Sequence, residues 1–130
     1  MKNKLDYLKK FISKQQINSL EYLLKSEEKQ YFKDKIDEIY TIVDTMPKTY
    51  DTDGEGDSAI VYLHYFINNS DFYITEKDIE DEQLQAFGLV SLSGDEPELG
   101  YVPISELIDM NVELDLYWSH KTLKKVIEEF

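Results

Sequence analysis

An acidic segment at residues 51–57 has the clearest chemical potential in the chain. Its pattern resembles a calcium-binding loop, with acids at the first, third, fifth and seventh positions and glycine at the sixth: Asp51, Asp53, Glu55, Gly56 and Asp57. Alternating carboxylates of this kind can surround a hard divalent cation. The twelfth position, where a bidentate glutamate is needed, holds Tyr62 instead. We therefore favour a solvated acidic connection and keep cation binding as the alternative.

The histidines are the other residues that could act as a general base or a metal ligand. His64 and His120 lie 56 positions apart, so they form no local pair of the kind that zinc sites use. The neighbours of His64 are mostly aromatic, which favours a half-buried histidine on a sheet face. In an alternative interpretation, His64 joins Asp51, Asp53 and Asp57 in a divalent-cation-dependent enzyme.

Several other kinds of chemistry are absent from the sequence. The chain has no cysteine, which excludes disulfides, thiolate metal sites and cysteine nucleophiles. It also lacks a glycine-rich phosphate loop and a serine nucleophile motif. The acids at 80–82 have no apolar neighbours that could separate their pKa values for acid–base catalysis. We therefore predict no catalytic residue and no cofactor.

The negative charge is strongly uneven along the chain. Residues 1–50 hold 10 Lys and 8 acidic residues, net +2, whereas residues 51–130 hold 4 Lys and 19 acidic residues, net −15. Such a surface repels phosphate, and the complete lack of arginine removes the best side chain for bidentate phosphate contacts. We therefore expect no direct nucleic-acid binding. The predicted partner is a protein with a basic nucleic-acid-binding surface.

The residues predicted to contact this partner lie near the ends of the predicted strands. Carboxylates there would imitate a phosphate backbone, and aromatic side chains are frequent at protein interfaces. The predicted contact residues are Asp71, Glu76, Asp78, Asp95, Glu96, Glu98, Tyr101 and Trp118.

The elements that must position these residues begin with helices. Residues 1–25 have helical spacing and are predicted as a helical lead-in. Residues 26–46 are predicted as one long helix with Ser26 as its N-cap. Its apolar positions repeat at intervals of three and four residues and form a single stripe: Phe32, Ile36, Ile39, Val43 and Met46.

After the acidic loop, the apolar period changes from helical to two, which is typical of strands. Strands are predicted at 59–67, 72–76, 87–92, 99–102 and 112–118. Short helices are predicted at 106–110, capped by Ser105, and from Ser119 onward, with Leu123, Val126 and Ile127 facing inward. The predicted fold class is α+β, a single domain over 1–130. Its N-terminal helices precede a mostly antiparallel sheet of about five strands, within residues 58–130, with short helices packed on it.

The sequence contains no apolar run of the roughly 18 residues that a membrane span requires. The basic N-terminus is not followed by the apolar core of a signal peptide. We therefore expect no membrane contact and a location in the cytoplasm.

From about Met46 to the C-terminus, the chain resembles small acidic proteins described only as a domain of unknown function. The matching runs are Thr49–Gly54, Val61–Phe66, Tyr73–Asp78, Phe87–Val90 and Glu98–Leu107. Proteins of this kind are carried by bacteriophages, plasmids and conjugative elements, where anti-restriction genes are common neighbours. The resemblance implies that the protein is carried by a mobile element in a bacterial host. It implies no catalytic or binding chemistry.

These observations predict a non-enzymatic acidic binding protein from a mobile element. It would inhibit or regulate a nucleic-acid-handling host protein by occupying its basic groove, as in anti-CRISPR or anti-restriction activity. One alternative is the divalent-cation-dependent enzyme that uses the acidic loop. Another is an accessory protein of replication or transfer that assembles with itself. A homodimer is compatible with both non-enzymatic interpretations.

Overall fold

The N-terminal part of the computed structural model, which describes residues 2–130, consists of three helices. They are α1 (Lys2–Leu8), α2 (Lys14–Leu23) and α3 (Lys29–Thr45). The apolar stripe of α3 is buried as predicted, with Ile36 and Val43 fully enclosed. The predicted N-cap of this helix is wrong, because α3 begins three residues after Ser26, whose hydroxyl accepts a hydrogen bond from the Glu28 N–H in the preceding turn.

The C-terminal part contains two antiparallel sheets. The larger has five strands in the order β5-β4-β3-β2-β6, and the smaller pairs β1 with β7. Helix α4 (Ile104–Asp109) follows β5, and helix α5 (Leu123–Glu128) ends the chain. The strands are β1 (Ile60–Val61), β2 (Leu63–Ile67), β3 (Ser70–Glu76), β4 (Ala86–Ser91), β5 (Glu98–Val102), β6 (Glu113–Leu114) and β7 (Lys121–Thr122). This arrangement confirms the predicted α+β fold with a five-stranded antiparallel sheet.

Apolar side chains cover both faces of the large sheet. The three N-terminal helices and α4 pack on one face and form the main core, where the fully buried Tyr65 donates its hydroxyl hydrogen bond to the Phe11 carbonyl. A smaller cluster lies on the other face, under α5: Ala59, Val61, Leu89, Leu123 and Val126. Burial of apolar surface on both faces is the main force that holds this layered arrangement together.

Two predicted strands have other boundaries in the structure. The strand predicted at 59–67 is divided at Tyr62, so that its first part pairs with β7 and its second part with β3 and β6. The strand predicted at 112–118 pairs only over Glu113–Leu114, because the chain turns at Asp115, which accepts hydrogen bonds from the Tyr117 and Trp118 N–H groups.

The short helices also differ at their ends. Helix α4 begins at Ile104 and so precedes Ser105, which does not cap it. Helix α5 begins at Leu123 instead of Ser119, because Thr122 supplies the N-cap oxygen to the Lys125 N–H. Leu123 and Val126 are buried as predicted, whereas Ile127 is 46% exposed.

Candidate functional site

Four of the predicted contact residues come together along strand β5 and the turn before it. Asp95, Glu96, Glu98 and Tyr101 are all exposed, and they border one shallow groove of about 360 Å³ together with exposed Leu92 and Leu99. We call these six residues the β5 surface: Leu92, Asp95, Glu96, Glu98, Leu99 and Tyr101. The sequence prediction missed Leu92 and Leu99, whose exposure could not be read from a strand-like run.

The turn between β4 and β5 is held in place by hydrogen bonds to its neighbours. Ser93 and Gly94 have positive φ angles of 54° and 79°. The Gly94 N–H donates to the Asn69 carbonyl (2.9 Å) and the Ser93 N–H to the Ser70 hydroxyl (3.0 Å), so this turn is tied to the β2–β3 turn. Asp95 and Glu96 therefore project from an anchored turn.

The apolar members of the β5 surface are each more than half exposed. Leu92, Leu99 and Tyr101 are 55%, 56% and 52% exposed. Single exposed apolar residues are common, but three around one groove with three carboxylates are typical of a surface that contacts another molecule. The arrangement combines apolar contact area with negative charge.

The acidic loop reaches the β5 surface through a pair of tyrosines. The Tyr50 and Tyr101 hydroxyls are 2.9 Å apart and share a hydrogen bond. This hydrogen bond, followed by partial desolvation and the nearby negative charge of Asp53, raises the pKa of Tyr101. Asp53 of the loop and Tyr101 of β5 therefore border the same cavity.

Glu76 was predicted to contact the partner, but the structure buries it. Only 3% of the residue is exposed. Its carboxylate accepts hydrogen bonds from the Tyr50 N–H (3.0 Å), the Thr52 N–H (2.7 Å) and the Thr52 hydroxyl. Glu76 forms the floor of a cavity of about 210 Å³ between the loop and β5. These hydrogen bonds hold the loop in place, including Tyr50, whose φ angle is 79°.

Asp78 is also buried, at 7% exposure, which removes it from the predicted contact set. Its carboxylate accepts hydrogen bonds from the N–H groups of Glu80 (3.1 Å), Leu84 (3.0 Å) and Gln85 (3.0 Å). Backbone donors of this kind satisfy a buried carboxylate within the fold. Asp78 therefore shapes the β3–β4 connection.

Lys77, between these two acids, is buried as well. Its Nζ donates hydrogen bonds to the Val43 carbonyl (2.6 Å) and the Asp44 carbonyl (3.1 Å) near the end of α3. Burial lowers the pKa of Lys77, with a smaller opposing effect of the negative charge of Asp44. The run Thr75–Asp78, one of the most specific parts of the family resemblance, thus joins the sheet, the loop and α3.

Asp71 lies in a separate cluster around His64. The His64 ring nitrogens are 2.8 Å from Asp71 Oδ1 and 3.1 Å from Asp115 Oδ2. The imidazole stacks on Tyr73 with ring centroids 4.7 Å apart. As expected from the sequence, His64 is a half-buried histidine on an aromatic sheet face.

Trp118, which was predicted to contact the partner, belongs to the same cluster around His64. Its indole N–H donates to the Val61 carbonyl (2.9 Å), and its ring centroid is 5.0 Å from that of His64. Lys121 Nζ lies 4.8 Å from the ring centroid on a cation–π contact. These contacts hold the C-terminal segment on the sheet, so Trp118 and Asp71 have structural partners.

The acidic side chains of residues 51–57 do not surround a common point where a cation could bind. Asp51 accepts a hydrogen bond from the Lys48 N–H (2.9 Å), and Gly56–Ser58 form a short 3-10 helix that continues into β1. Within residues 2–130, no group of three or more His, Cys, Asp or Glu side chains is arranged to hold a metal ion. His64 contacts Asp71 and Asp115 instead of Asp51, Asp53 or Asp57.

The fold and the β5 surface together describe a small α+β protein with an acidic, partly apolar sheet edge. The chain belongs to the family described as "Protein of unknown function (DUF2958)", whose model matches residues 32–122. The match begins within α3, earlier than the resemblance from about Met46, and includes the whole β5 surface. Comparison with curated proteins and with solved structures gave no match. Among the described residues, no helix is long and apolar enough to cross a membrane.

Proposed function

We propose that this chain is a non-enzymatic binding protein whose β5 surface occupies the basic, nucleic-acid-binding groove of another protein. The observation that carries the proposal is the grouping of Asp95, Glu96 and Glu98 around exposed Leu99 and Tyr101. Carboxylates spaced along a strand can pair with the lysines and arginines that normally contact phosphates. The apolar and aromatic side chains supply the contact area that charge alone does not provide.

The charge of the whole molecule supports the same partner. A net charge of −13 steers a basic protein toward this chain and keeps nucleic acid away from it. Asp53 of the loop adds to the negative field at Tyr101, one end of the β5 surface. A basic groove is therefore the surface with the best electrostatic complementarity.

The resemblance to proteins of bacteriophages, plasmids and conjugative elements supports a mobile-element setting in a bacterium. In that setting, a protein that blocks a nucleic-acid-binding groove would inhibit or regulate a host nuclease or a related protein of a CRISPR or restriction system. The chain would act in the cytoplasm, where such proteins meet nucleic acid.

The test is affinity capture from the bacterial host with matched variants as bait. One variant reverses the charges of the β5 surface (D95K, E96K and E98K). The control reverses three exposed acids near α2 and α3 (E21K, E27K and E28K), so that both baits have the same net charge. Captured proteins are quantified by mass spectrometry at low and at high salt.

We expect a nucleic-acid-handling protein that is captured at low salt by the wild type and the control, and lost with the β5 variant. Capture should weaken at high salt because ions screen exposed charges beyond a Debye length of about 10 Å at 0.1 M. Equal capture by the wild type and the β5 variant would refute the proposed function. Capture that fails equally with both variants would assign binding to net charge instead of this surface.

A further inference from the structure

Strand β5 is a free edge of the large sheet. It pairs with β4 on one side, and among residues 2–130 no strand pairs with its other side. Pro97 and Pro103 stand immediately before and after the strand, and proline cannot donate a ladder hydrogen bond. The free edge is therefore confined to the five residues Glu98–Val102.

The side chains of this edge alternate in chemistry. Successive strand residues point to opposite faces of a sheet. Leu99 and Tyr101 share one face, where Tyr101 packs edge-on against Phe87 with ring centroids 5.8 Å apart. Glu98 and Gly100 share the other face. A strand placed beside β5 would thus meet apolar side chains on one face, and a carboxylate and an open glycine on the other.

We propose that β5 binds an extended segment of its partner as an additional strand, and that this segment alternates basic and apolar residues. The inference rests on the proposed function and specifies how the β5 surface recognises its partner. Backbone hydrogen bonds to the free edge supply affinity, and alternate side chains supply specificity. Apolar residues of the segment lie beside Leu99 and Tyr101, and basic residues lie beside Glu98 and extend toward Asp95 and Glu96.

Charge argues against a second copy of this chain as the added strand. Any pairing of two β5 strands would bring together two chains that each carry a net charge of −13, and a parallel pairing would also align their acids Asp95, Glu96 and Glu98. Like charges near one another across a strand pair are destabilising. Acidic residues and flanking prolines are also the usual protection of an edge against self-association. The same features leave the edge open to a basic strand.

The experiment uses a fluorescent peptide of about eight residues, the usual length of a strand, that alternates Lys with Val. Two further peptides carry N-methyl groups on alternate backbone nitrogens, one on the Lys residues and one on the Val residues. Both retain the charge and side chains of the first, but each loses the backbone donors on one side of an extended strand. Binding to the full chain is measured by fluorescence anisotropy, and amide exchange of residues 98–102 is followed by NMR.

Strand addition predicts that one methylated peptide binds about tenfold more weakly, since it loses the hydrogen bonds that face β5. The other should remain within about threefold, since its lost donors face solvent. Alternate amides within residues 98–102 should become protected from exchange on binding. Equal affinities of the three peptides, no binding of the unmodified peptide, or unchanged exchange would each overturn the inference.

Two controls separate this inference from the proposed function. If D95K/E96K/E98K abolishes partner capture while the methylated peptides bind equally, the function stands and strand addition is wrong. If that variant captures the partner as the wild type does, the function itself fails. Sedimentation of the chain alone should show a monomer, and a dimer with protected amides at 98–102 would assign the edge to a second copy and overturn the inference.

Discussion

At the scale of single residues, burial separates the acids that hold the fold from the acids that can contact a partner. Glu76 and Asp78 have the same side-chain types as Glu98 and Asp95, but backbone N–H groups surround them and remove them from the surface. A carboxylate that satisfies several backbone donors fixes a loop, whereas a solvated one remains free to meet a cationic partner. Sequence type alone cannot separate these two roles.

Substitution of Glu76 should destabilise the chain and loosen the loop. Glu76→Ala leaves the Tyr50 and Thr52 N–H groups without their acceptor, and we expect a loss of about 2 kcal/mol in the free energy of unfolding. Glu76→Gln retains one good acceptor oxygen and should cost about half as much. Urea unfolding measures both values. An unchanged midpoint for Glu76→Ala would contradict the anchoring role.

The buried tyrosines make the stability of the chain depend on alkaline pH. Burial raises the pKa of Tyr73 from 10.0 to about 12, with a smaller effect of the negative charge of Asp71, and burial also raises the pKa of Tyr65. The folded state therefore holds these protons more tightly than the unfolded state. Their stabilising contribution is complete below pH 10 and is lost as the pH rises from 10 toward 12 and above.

Ultraviolet absorbance of tyrosinate measures this effect. Tyr73→Phe should remove a tyrosine that ionises near pH 12 and should reduce the loss of stability above pH 10. Tyr22→Phe removes a ring that is 74% exposed and should leave that late ionisation in place. Loss of the late ionisation in the Tyr22 variant instead would contradict the assignment.

At the scale of elements, the large sheet depends on a close backbone approach at one glycine. A Cβ atom on Gly88 would lie 2.0 Å from the Tyr73 carbonyl oxygen, next to the register shift between Ile74 and Glu76. We expect Gly88→Ala to destabilise the chain by about 2 kcal/mol or more, because the β3 backbone must move. Gly100→Ala, on β5, meets no atom within 4 Å and should have little effect. Similar unfolding midpoints for the two variants would contradict the described strand packing.

The start of α5 gives a second paired prediction. The Thr122 hydroxyl caps this helix, whereas Ser119 lies before it. Thr122→Ala should lower the free energy of unfolding by about 1 kcal/mol, and Ser119→Ala should lower it much less. Denaturant unfolding of the two variants distinguishes the two possible caps. A larger loss for Ser119→Ala would place the start of the helix where the sequence pattern predicted it.

Local periodicity was sufficient for some of these elements and insufficient for others. The apolar stripe of α3 and the alternation in β2 each reflect one more deeply buried face, so the pattern specifies the element. The segment 112–118 also alternates, but the chain turns at Asp115, whose carboxylate contacts the ring of His64, and pairing ends after two residues. That contact joins residues 51 positions apart, which no local pattern contains.

The sequence predicted only part of the β5 surface. Asp95 and Glu96 follow a turn, where exposure is the usual condition, and the structure brings them together with Glu98 and Tyr101 of the next strand. Leu92 and Leu99 were missed because apolar residues in a strand are usually assigned to the core. Glu76 is buried by backbone donors 24 and 26 positions away, whereas Asp78 is buried by donors of the connection that directly follows it. The apolar pattern contains neither set of hydrogen bonds, so sequence reasoning placed both acids at the surface.

At the scale of the whole molecule, charge and shape have separate parts in the proposed function. The net charge of −13 acts at long range and should govern how fast a basic partner associates. The β5 surface acts at contact and should govern how slowly the partner dissociates, since exposed Leu99 and Tyr101 supply its apolar contact area. Members of the same family with a neutral edge strand should therefore lack the same partner.

The most direct measurement is competition for the groove of the captured partner. Its affinity for a labelled nucleic acid is measured with increasing amounts of the wild-type chain, of D95K/E96K/E98K and of the control E21K/E27K/E28K. The account predicts that the wild type and the control displace the nucleic acid, and that the β5 variant does so at least about tenfold less well. Equal displacement by all three proteins, or binding of the wild type without displacement, would contradict it.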